Sequence, residues 1–559
     1  MSGNRVPFAP LRWLSPAAVI LISCAGAWLI YRKLILTSGP LNWDESGHAL
    51  WGLLIAHDIG QRDWLSLIYD TYRQVFWPPI HAWLTAISYF AFGVGNASAR
   101  LVSALSYAAF GPLVFLAARR LAPERRVAAG WVAAGLALAS PFVITWAGRC
   151  MLDVPALVPY VATLVVYFKL VDEQAPPRRF VWVGVLILAT YFVRTNYAVL
   201  LALAIGLSHA VSGRFSLRSL AGSRNFYIAL PVVAALAVWF AYPPKILATW
   251  EALVNISPNP EETFKRTGLL FYPRAFVTQS GSIPLFLVYL AATVSALRCW
   301  RDEKIRVTLL LVLLLLVLGQ LHHSKATRYI LPAFPALFLL AGRLAAHWWG
   351  KRPRAAALAT ALVLAHALTL PSTVPPYWNQ RIAAQTELVR SAGAKFRQAG
   401  TSMLVATWDF MDTPALDWRL ATEEGVLSVA QAGFLAQAGQ RKRLAEEVRR
   451  LRLPEAIARP VLRTLERIEE PHRNLTRYVG ALEPAVVNLL SGDLARREIE
   501  QVILITSTRP RATTKWSELD ALMKRLGWRL RATEDFSSIH SRLDVYGRTE
   551  RVGFGVAAR

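Results

Sequence analysis

Long apolar segments alternate with short polar connections from the N-terminus to residue 374. Most of them are close to the ~20 residues that an α-helix needs to cross the hydrocarbon core of a bilayer. The candidate spans are 15–36, 99–119, 127–146, 154–172, 180–193, 195–212, 226–243, 282–300, 306–322, 329–349 and 355–374. The pattern therefore predicts a polytopic α-helical membrane protein with about 11 to 13 transmembrane helices.

The charge of the polar connections predicts their side of the membrane. Those rich in Arg and Lys are 119–126, 178–179, 214–224, 298–306 and 351–354. Because such residues collect in cytoplasmic loops, we expect these connections and the N-terminus to face the cytoplasm. A full crossing by residues 79–95 would reverse the side of every later connection. We therefore predict that this segment is interfacial or re-entrant on the outer face.

The apolar pattern ends at residues 371–376, and the chain beyond is polar and charged. Its strand-like runs are 402–407, 501–506 and 543–546, and its helical patterns are 442–453 and an amphipathic stretch at 517–526. Strands separated by helices predict a small α/β domain, and we expect residues 423–497 to be mostly helical. The predicted domains are thus a transmembrane domain at 1–374, with its first outer loop at 37–98, and an extracytoplasmic soluble α/β domain at 375–559.

Composition supports the membrane class and narrows the partners. Hydrophobic residues make up 54% of the chain, which also carries 20 Trp. The net charge of +26 is explained by basic loops that face anionic membrane lipids. No basic stripe with interleaved aromatic residues accompanies the charge, so we expect no nucleic-acid partner. The three cysteines have neither metal nor redox spacing.

Two adjacent carboxylates, Asp44 and Glu45, follow the first apolar segment. Ionised groups next to hydrocarbon are costly, so such a pair favours a functional explanation. A structural alternative stays open at this stage. Asn42 or Asp44 could cap a solvated helix whose dipole interacts favourably with the acids.

Three further outer connections carry candidate chemistry. Paired prolines stiffen the chain just before His81. Arg149 and Asp153 have i, i+4 spacing, which would place them on one face of a helix end, although a local ion pair would explain them equally well. Residues 322–329 are mostly hydrogen-bond donors at the mouth of an apolar helix. His322 and His323 raise the possibility of a divalent metal, but no third ligand has suitable spacing, so we predict no metal cofactor.

One chemistry uses acids and cations together at the outer end of a helical bundle. A lipid-linked sugar phosphate places its phosphate at the headgroup level, where Lys and Arg can bind it and stabilise the leaving phosphate. A carboxylate on the opposite side of the sugar can take the proton from an incoming hydroxyl. The residues at the predicted outer face supply both kinds of group.

The same residues, in the same order, resemble the GT-C superfamily of polyprenyl-phosphate-sugar glycosyltransferases. The resemblance covers residues 15–374 and is greatest to the branch of protein O-mannosyltransferases and aminoarabinose transferases. The segments that carry it are Trp43-Asp44-Glu45, Pro78-Pro79, Phe92-Gly93-Val94, Ser98-Ala99-Arg100-Leu101, Arg149, Asp153, Lys325, Arg328-Tyr329-Ile330-Leu331-Pro332 and Pro335. The C-terminal domain shows only the general pattern of an outer soluble domain.

The resemblance implies roles for particular residues. Asp44 corresponds to the catalytic base, Asp153 to the second acid, and Lys325 and Arg328 to donor-phosphate contacts. The other candidate catalytic residue is Glu45, the further donor-phosphate candidates are Arg149, Tyr329 and Arg73, and the other outer-loop candidates are His48, His81, His322 and His323. Two departures from the family pattern put the identity of the donor in doubt. Trp77 stands where several relatives carry Lys, so that this cation is either missing or replaced by Arg73, and His48 stands near where an aromatic residue often follows the acid pair.

The sequence thus predicts an inverting, metal-independent glycosyltransferase of the bacterial inner (plasma) membrane. Its expected partners are a polyprenyl-phosphate sugar donor, membrane lipids and an acceptor outside the cytoplasm. The alternatives are a transporter or flippase of lipid-linked sugars, which buried charges in mid-helix would favour, and a noncatalytic assembly protein that would tolerate loss of Asp44. The sugar, the acceptor (lipid, polysaccharide or protein) and the choice between Asp44 and Glu45 stay open, with Asp44 favoured by the family pattern alone.

Overall fold

The computed structural model describes most of the chain between residues 11 and 548. The described ranges are 11–41, 43–72, 77–122, 125–212, 223–241, 270–321, 326–352, 379–398, 402–407, 413–426, 428–430, 474–479, 499–507, 513–536 and 541–548, with a few isolated positions between them. Clustering of contacts divides the chain into two compact units. The helical unit comprises 1–38, 74–91 and 97–375, and the sheet unit comprises 39–73, 92–96 and 376–559.

Helices of the described residues before 375 match the predicted apolar segments closely, except that those at 43–60, 64–72 and 271–279 match no predicted segment and the one at 80–92 lies in the predicted interfacial segment. They are α1 (Leu11–Ile30, continued by a π-helical turn at Tyr31–Ile35), α2 (Trp43–Gly60), α3 (Trp64–Tyr72), α4 (Ile80–Phe92), α5 (Asn96–Leu121), α6 (Arg126–Ala139), α7 (Pro141–Ala147), α8 (Asp153–Asp172), α9 (Val181–Val193), α10 (Thr195–Val211), α11 (Arg224–Trp239), α12 (Phe271–Gln279), α13 (Ile283–Leu297), α14 (Glu303–Leu321) and α15 (Ala333–Lys351). The fold class predicted from the sequence, a polytopic helical membrane protein with a C-terminal α/β region, is confirmed.

Only some helices of the described ranges are long enough to cross a membrane by themselves. Three helices are long and apolar enough to cross a bilayer, namely Pro16–Ile35, Asn96–Leu121 and Asp153–Asp172. Two bent pairs raise this number to five if each pair is one span. The total of about 11 to 13 spans stays a prediction, as do the interfacial placement of residues 79–95 and the sides of the loops. The last predicted span, 355–374, lies almost wholly outside the described residues.

The predicted span at 127–146 is broken into α6 and α7, which are bent by 57°. The break falls at Ser140, which is extended (φ −66°, ψ 116°) and whose hydroxyl accepts a hydrogen bond from the N–H of Val143. Pro141 disfavours helical geometry in the residue before it and suits the first position of a new helix. The chain therefore reaches α7 and the following turn at a new angle.

Helices of the helical unit approach closely where one of them carries glycine. An added Cβ at Gly342 of α15 would lie 2.5 Å from the carbonyl oxygen of Ala129 in α6. The same atom at Gly184 of α9 would lie 2.1 Å from the carbonyl oxygen of Ile228 in α11. Small residues allow such approaches between membrane helices, where packing takes the place of the hydrophobic effect. The contact at Gly184 fixes the position of α9 against α11, and the residue that follows α9 is Arg194.

The sheet unit contains a six-stranded mixed sheet with the order β2-β3-β1-β4-β6-β5. Its strands are β1 (Ser402–Thr407), β2 (Ser428–Ala430), β3 (Asn474–Val479), β4 (Gln501–Ser507), β5 (Trp528–Phe536) and β6 (Ser541–Arg548), and its helices after residue 375 are α16 (Asn379–Gln398), α17 (Thr413–Glu423) and α18 (Thr513–Arg525). The first four strands in the order pair in parallel, and β6 pairs antiparallel with both β4 and β5. The strand-like runs predicted from the sequence are confirmed.

Both faces of β4 are buried, as expected for a strand between two helical layers. Ile503 and Ile505 pack in one cluster with Leu388 of α16. Val502 and Leu504 pack in another cluster, with Leu519 and Leu522 of α18 among its members. This explains why the sequence of β4 is a continuous apolar run. A strand with one face exposed to solvent would alternate between apolar and polar residues.

The prediction that residues 423–497 are mostly helical is wrong where it can be checked. The described parts of this interval include the strands β2 and β3, which pair with each other and, through β3, with β1. Pairing with distant strands gives these short segments their conformation. The helical pattern at 442–453 lies outside the described residues.

Candidate active site

The helical unit brings together arginine and aromatic side chains at the start of α8. Helix α7 ends at Ala147, a turn follows, and α8 begins at Asp153. Arg149 lies in that turn, with its guanidinium 5.2 Å from the ring centroid of Trp146. The expectation that Arg149 and Asp153 share one helix face is therefore wrong, because only Asp153 is helical.

Asp153 forms an ion pair with Arg194, a residue that the sequence analysis did not select. Its carboxylate is 0% exposed, and the side chain of Arg194 is 11% exposed. Arg194 is extended (φ −156°, ψ 109°) between α9 and α10. Its N–H donates to the carbonyl oxygen of Thr190 at 2.7 Å. The interruption between α9 and α10 thus places the guanidinium of Arg194 next to Asp153. In a continuous helix the side chain of Arg194 would point in a different direction.

Two tyrosine rings lie beside Arg194, and one of them also contacts Arg328, a predicted site residue. The guanidinium of Arg194 lies 5.1 Å from the ring centroid of Tyr197 and 5.8 Å from that of Tyr329. Arg328, in a short 3-10 turn at Thr327–Ile330, lies 5.6 Å from the same Tyr329 ring and 6.0 Å from Trp146. Rings at such distances attract a guanidinium and hold its plane.

We call these residues the arginine cluster. Its members are Trp146, Arg149, Asp153, Arg194, Tyr197, Arg328 and Tyr329. Its three guanidinium groups keep their positive charge at any ordinary pH. His81 of α4 is buried in the same unit and interacts electrostatically with Asp153. Chemically, the arrangement suits an anion with several oxygen acceptors.

Asp44, Glu45 and His48 belong to the sheet unit, on the first turns of α2. The two acids fall in the first helical turn, where they interact favourably with the helix dipole. Asp44 is partly exposed, while Glu45 is 4% and His48 is 2% exposed. Helix α2 packs against α17 of the same unit. The structural and functional explanations of the acid pair are therefore compatible, and the two carboxylates differ in their access to solvent.

Several predicted site residues lie outside the described ranges, namely Arg73, His322, His323 and Lys325. Across the described ranges, no three His, Cys, Asp or Glu side chains form a group that could hold a metal ion. The sequence-based prediction of no metal cofactor stays a prediction, because the two histidines that raised the question are among the residues not described.

Comparison with protein families gives a match over residues 77–240, to the family described as dolichyl-phosphate-mannose-protein mannosyltransferase. The match confirms the resemblance to polyprenyl-phosphate-sugar glycosyltransferases. It also confirms the predicted enzyme class, a membrane glycosyltransferase that uses a lipid-linked sugar phosphate. The matched range includes Trp146, Arg149, Asp153, Arg194 and Tyr197 of the arginine cluster.

The chain is also similar to solved membrane enzymes. ArnT from Cupriavidus metallidurans bound to undecaprenyl phosphate is 17% identical, with 96% of this chain and 98% of that chain covered and a TM-score of 0.49. The oligosaccharyltransferase of Archaeoglobus fulgidus, in complex with Zn and sulfate, is 13% identical, with coverages of 87% and 67% and a TM-score of 0.47. The same organism's AglB, in complex with an inhibitory peptide and a dolichol-phosphate, is 12% identical, with coverages of 94% and 74% and a TM-score of 0.39. No curated protein matches the chain in sequence.

Proposed function

We propose that this protein transfers a sugar from a polyprenyl-phosphate donor to an acceptor outside the cytoplasm, with inversion at the anomeric carbon. In this proposal the enzyme lies in a bacterial inner membrane, with a cytoplasmic N-terminus and an extracytoplasmic C-terminal domain. The arginine cluster is the observation that carries it. It places three arginines, oriented by aromatic rings, at helix ends of an apolar bundle, where phosphate oxygens can accept hydrogen bonds from their guanidinium groups.

The arginine cluster suits the phosphate of a lipid-linked sugar for two reasons. A guanidinium can give two parallel hydrogen bonds to phosphate oxygens, so Arg149 and Arg328 can fix the group in orientation as well as attract it. As the glycosidic bond breaks, its electron pair moves to the phosphate oxygen, and fixed positive charge stabilises this developing negative charge. The phosphate is thus both the anchor of the donor and the leaving group.

We assign the general base to Asp44. In an inverting transfer the acceptor oxygen bonds to the anomeric carbon as the bond to phosphate breaks, and the hydroxyl proton moves to a carboxylate. Such a carboxylate must be reachable by the acceptor. Asp44 is partly exposed and Glu45 is 4% exposed, so exposure favours Asp44, in agreement with the family resemblance.

No metal ion has a role in this proposal, because the arginines supply the positive charge that the leaving phosphate requires. The acceptor can be a lipid, a polysaccharide or a protein. The family match supports the donor class, because the name of that family includes dolichyl-phosphate-mannose, a sugar linked to a lipid phosphate.

The test compares sugar transfer by the wild type, Asp44→Asn and Glu45→Gln in membranes, with a panel of radiolabelled polyprenyl-phosphate sugars and with protein amounts matched. Loss of a general base lowers turnover by about 10²- to 10⁴-fold, so Asp44→Asn should show a loss of this size while it still binds polyprenyl phosphate. Glu45→Gln is the matched control and should retain most activity. Full transfer by Asp44→Asn would remove this residue from the mechanism, and a loss of activity on chelation of divalent ions would contradict the metal-free proposal.

A further inference from the structure

We propose that Arg194 is a third contact for the donor phosphate, and that Asp153 is a positioning residue that holds Arg194 in place instead of acting as a base. This inference rests on the proposed function and deepens it. The family resemblance assigned Asp153 to catalysis and gave no role to Arg194, so the structure changes the role of one residue and adds the other.

The position of Arg194 supports a ligand contact. It lies at a break between two helices, and its guanidinium is enclosed by the carboxylate of Asp153 and the rings of Tyr197 and Tyr329. Arg328 contacts the same Tyr329 ring. Two guanidinium groups that share a ring repel each other, and burial increases the repulsion. A phosphate is the ligand that would relieve it.

Guanidinium groups interact more strongly with the leaving group than with the donor phosphate. The donor phosphate is a diester and carries one negative charge. The released polyprenyl phosphate is a monoester, whose second ionisation lies near pH 6, so that it carries about −1.5 to −2 charges at pH 7. The guanidinium groups of the cluster can donate hydrogen bonds to the phosphate oxygens, on which this additional negative charge develops. Interactions that strengthen as the bond breaks lower the barrier, whereas equal binding of both states does not.

The environment of Asp153 fits a positioning role. Its side chain is 0% exposed and is paired with Arg194. A general base has to reach the hydroxyl proton of the acceptor. A buried carboxylate in an ion pair instead offsets the desolvation of its partner and sets its rotamer. Asp153 therefore acts on the phosphate through Arg194.

The test uses a double-mutant cycle with Asp153→Asn, Arg194→Gln and the double variant. Each single variant leaves one buried group without its counter-charge and is expected to be unstable, whereas the double variant is neutral and should fold. The cycle measures kcat, KM for the donor, and Kd for a short-chain polyprenyl phosphate without acceptor. Thermal unfolding in detergent reports the fold of each variant.

The double variant is expected to fold like the wild type but to bind polyprenyl phosphate about 10- to 100-fold more weakly, the size of a lost charge-assisted contact. Its kcat should fall by a similar factor, with a smaller change in donor KM. Because Asp153 acts through Arg194, adding Asp153→Asn to Arg194→Gln should cost no further activity. Wild-type activity and product binding in the double variant would show that the pair is only structural. A lower activity of the double variant than of Arg194→Gln, at equal amounts of folded protein, would restore the role of Asp153 as a base.

A matched control is available in the same unit. Arg224 pairs with Glu303 at 3.7 Å and lies 4.8 Å from the ring centroid of Phe180. Tyr167 donates to Glu303 at 2.6 Å, and its position along α8 is about 20 Å from Asp153. The variant Arg224→Gln with Glu303→Gln should keep wild-type binding of polyprenyl phosphate. A wild type that neither binds polyprenyl phosphate nor transfers sugar would overturn the proposed function itself.

Discussion

The substitution Gly184→Ala is expected to disturb the bundle and the site together. Its Cβ would lie 2.1 Å from the carbonyl oxygen of Ile228 and 2.6 Å from Cγ of Pro231. Ordinary contacts between heavy atoms lie near 3.5 to 4.0 Å, so α9 and α11 must separate locally by roughly 1 Å or more. The oxygen belongs to the backbone, so no side-chain rotation can move it out of the way. Pro231 lies in the same helix α11, so both contacts require that helix to shift.

The net free-energy change follows from two opposing effects. Replacing glycine by alanine in a helix stabilises it by up to about 1 kcal/mol. Forcing an extra carbon into a packed interface costs about 1–3 kcal/mol. We expect the packing cost to exceed the helix gain at Gly184, because a backbone atom is in the way. Helix α9 ends just before Arg194, and a ~1 Å misplacement near a site can lower turnover by about 100-fold.

The matched control is Gly206→Ala in α10, where an added Cβ meets nothing within 4 Å. This variant should keep or slightly raise the unfolding temperature and should keep its activity. Both variants would be purified in the same detergent and compared by thermal unfolding, followed by tryptophan fluorescence, and by sugar transfer. Equal stability and activity of the two variants would refute the inferred closeness of α9 and α11.

Two further predictions concern the sheet unit. Trp418 of α17 donates a hydrogen bond to Asn96 at 2.8 Å, and α17 packs on the helix that carries Asp44. Trp418→Phe should therefore lower kcat with little change in donor KM, whereas equal loss in both parameters would contradict a positioning role. The hydroxyl of Ser391 and the ammonium of Lys395, 3.0 Å away, hold the pKa of Glu534 below its usual 4.5. This contribution to stability is present at pH 7 and disappears as the pH falls through the lowered pKa, so the destabilisation by Glu534→Gln should be full at pH 7 and should shrink as the pH is lowered through that pKa. The same destabilisation at every pH would argue against it.

Hydrophobic runs predict the helices well, because a span needs only length and low polarity. The boundaries of α8 and α10 lie within a residue or two of the predicted segments. The break before α7 could also have been predicted from Pro141, since proline disfavours helix in the preceding residue. Local signals of this kind need no tertiary information.

Arg194 and β3 could not be predicted in the same way. A lone arginine between two apolar runs has the pattern of one interrupted span, and its ion pair is with Asp153, which is far away in sequence. The strand β3 has neither strict alternation nor a continuous apolar run, and it exists because β1 and β2 pair with it. For Asp44 and Glu45 the sequence favours Asp44 through the family pattern alone, and the difference in their burial is seen only in the structure.

The most direct test of the central claim follows both parts of a doubly labelled donor. The purified protein would be placed in sealed vesicles with a polyprenyl-phosphate sugar that carries one radiolabel on the sugar and another on the lipid, together with crude envelope acceptors. The proposed function predicts that the sugar label moves to an acceptor while the lipid label is recovered as free polyprenyl phosphate. Movement of both labels across the membrane with the glycosidic bond intact would show lipid transport and would contradict it.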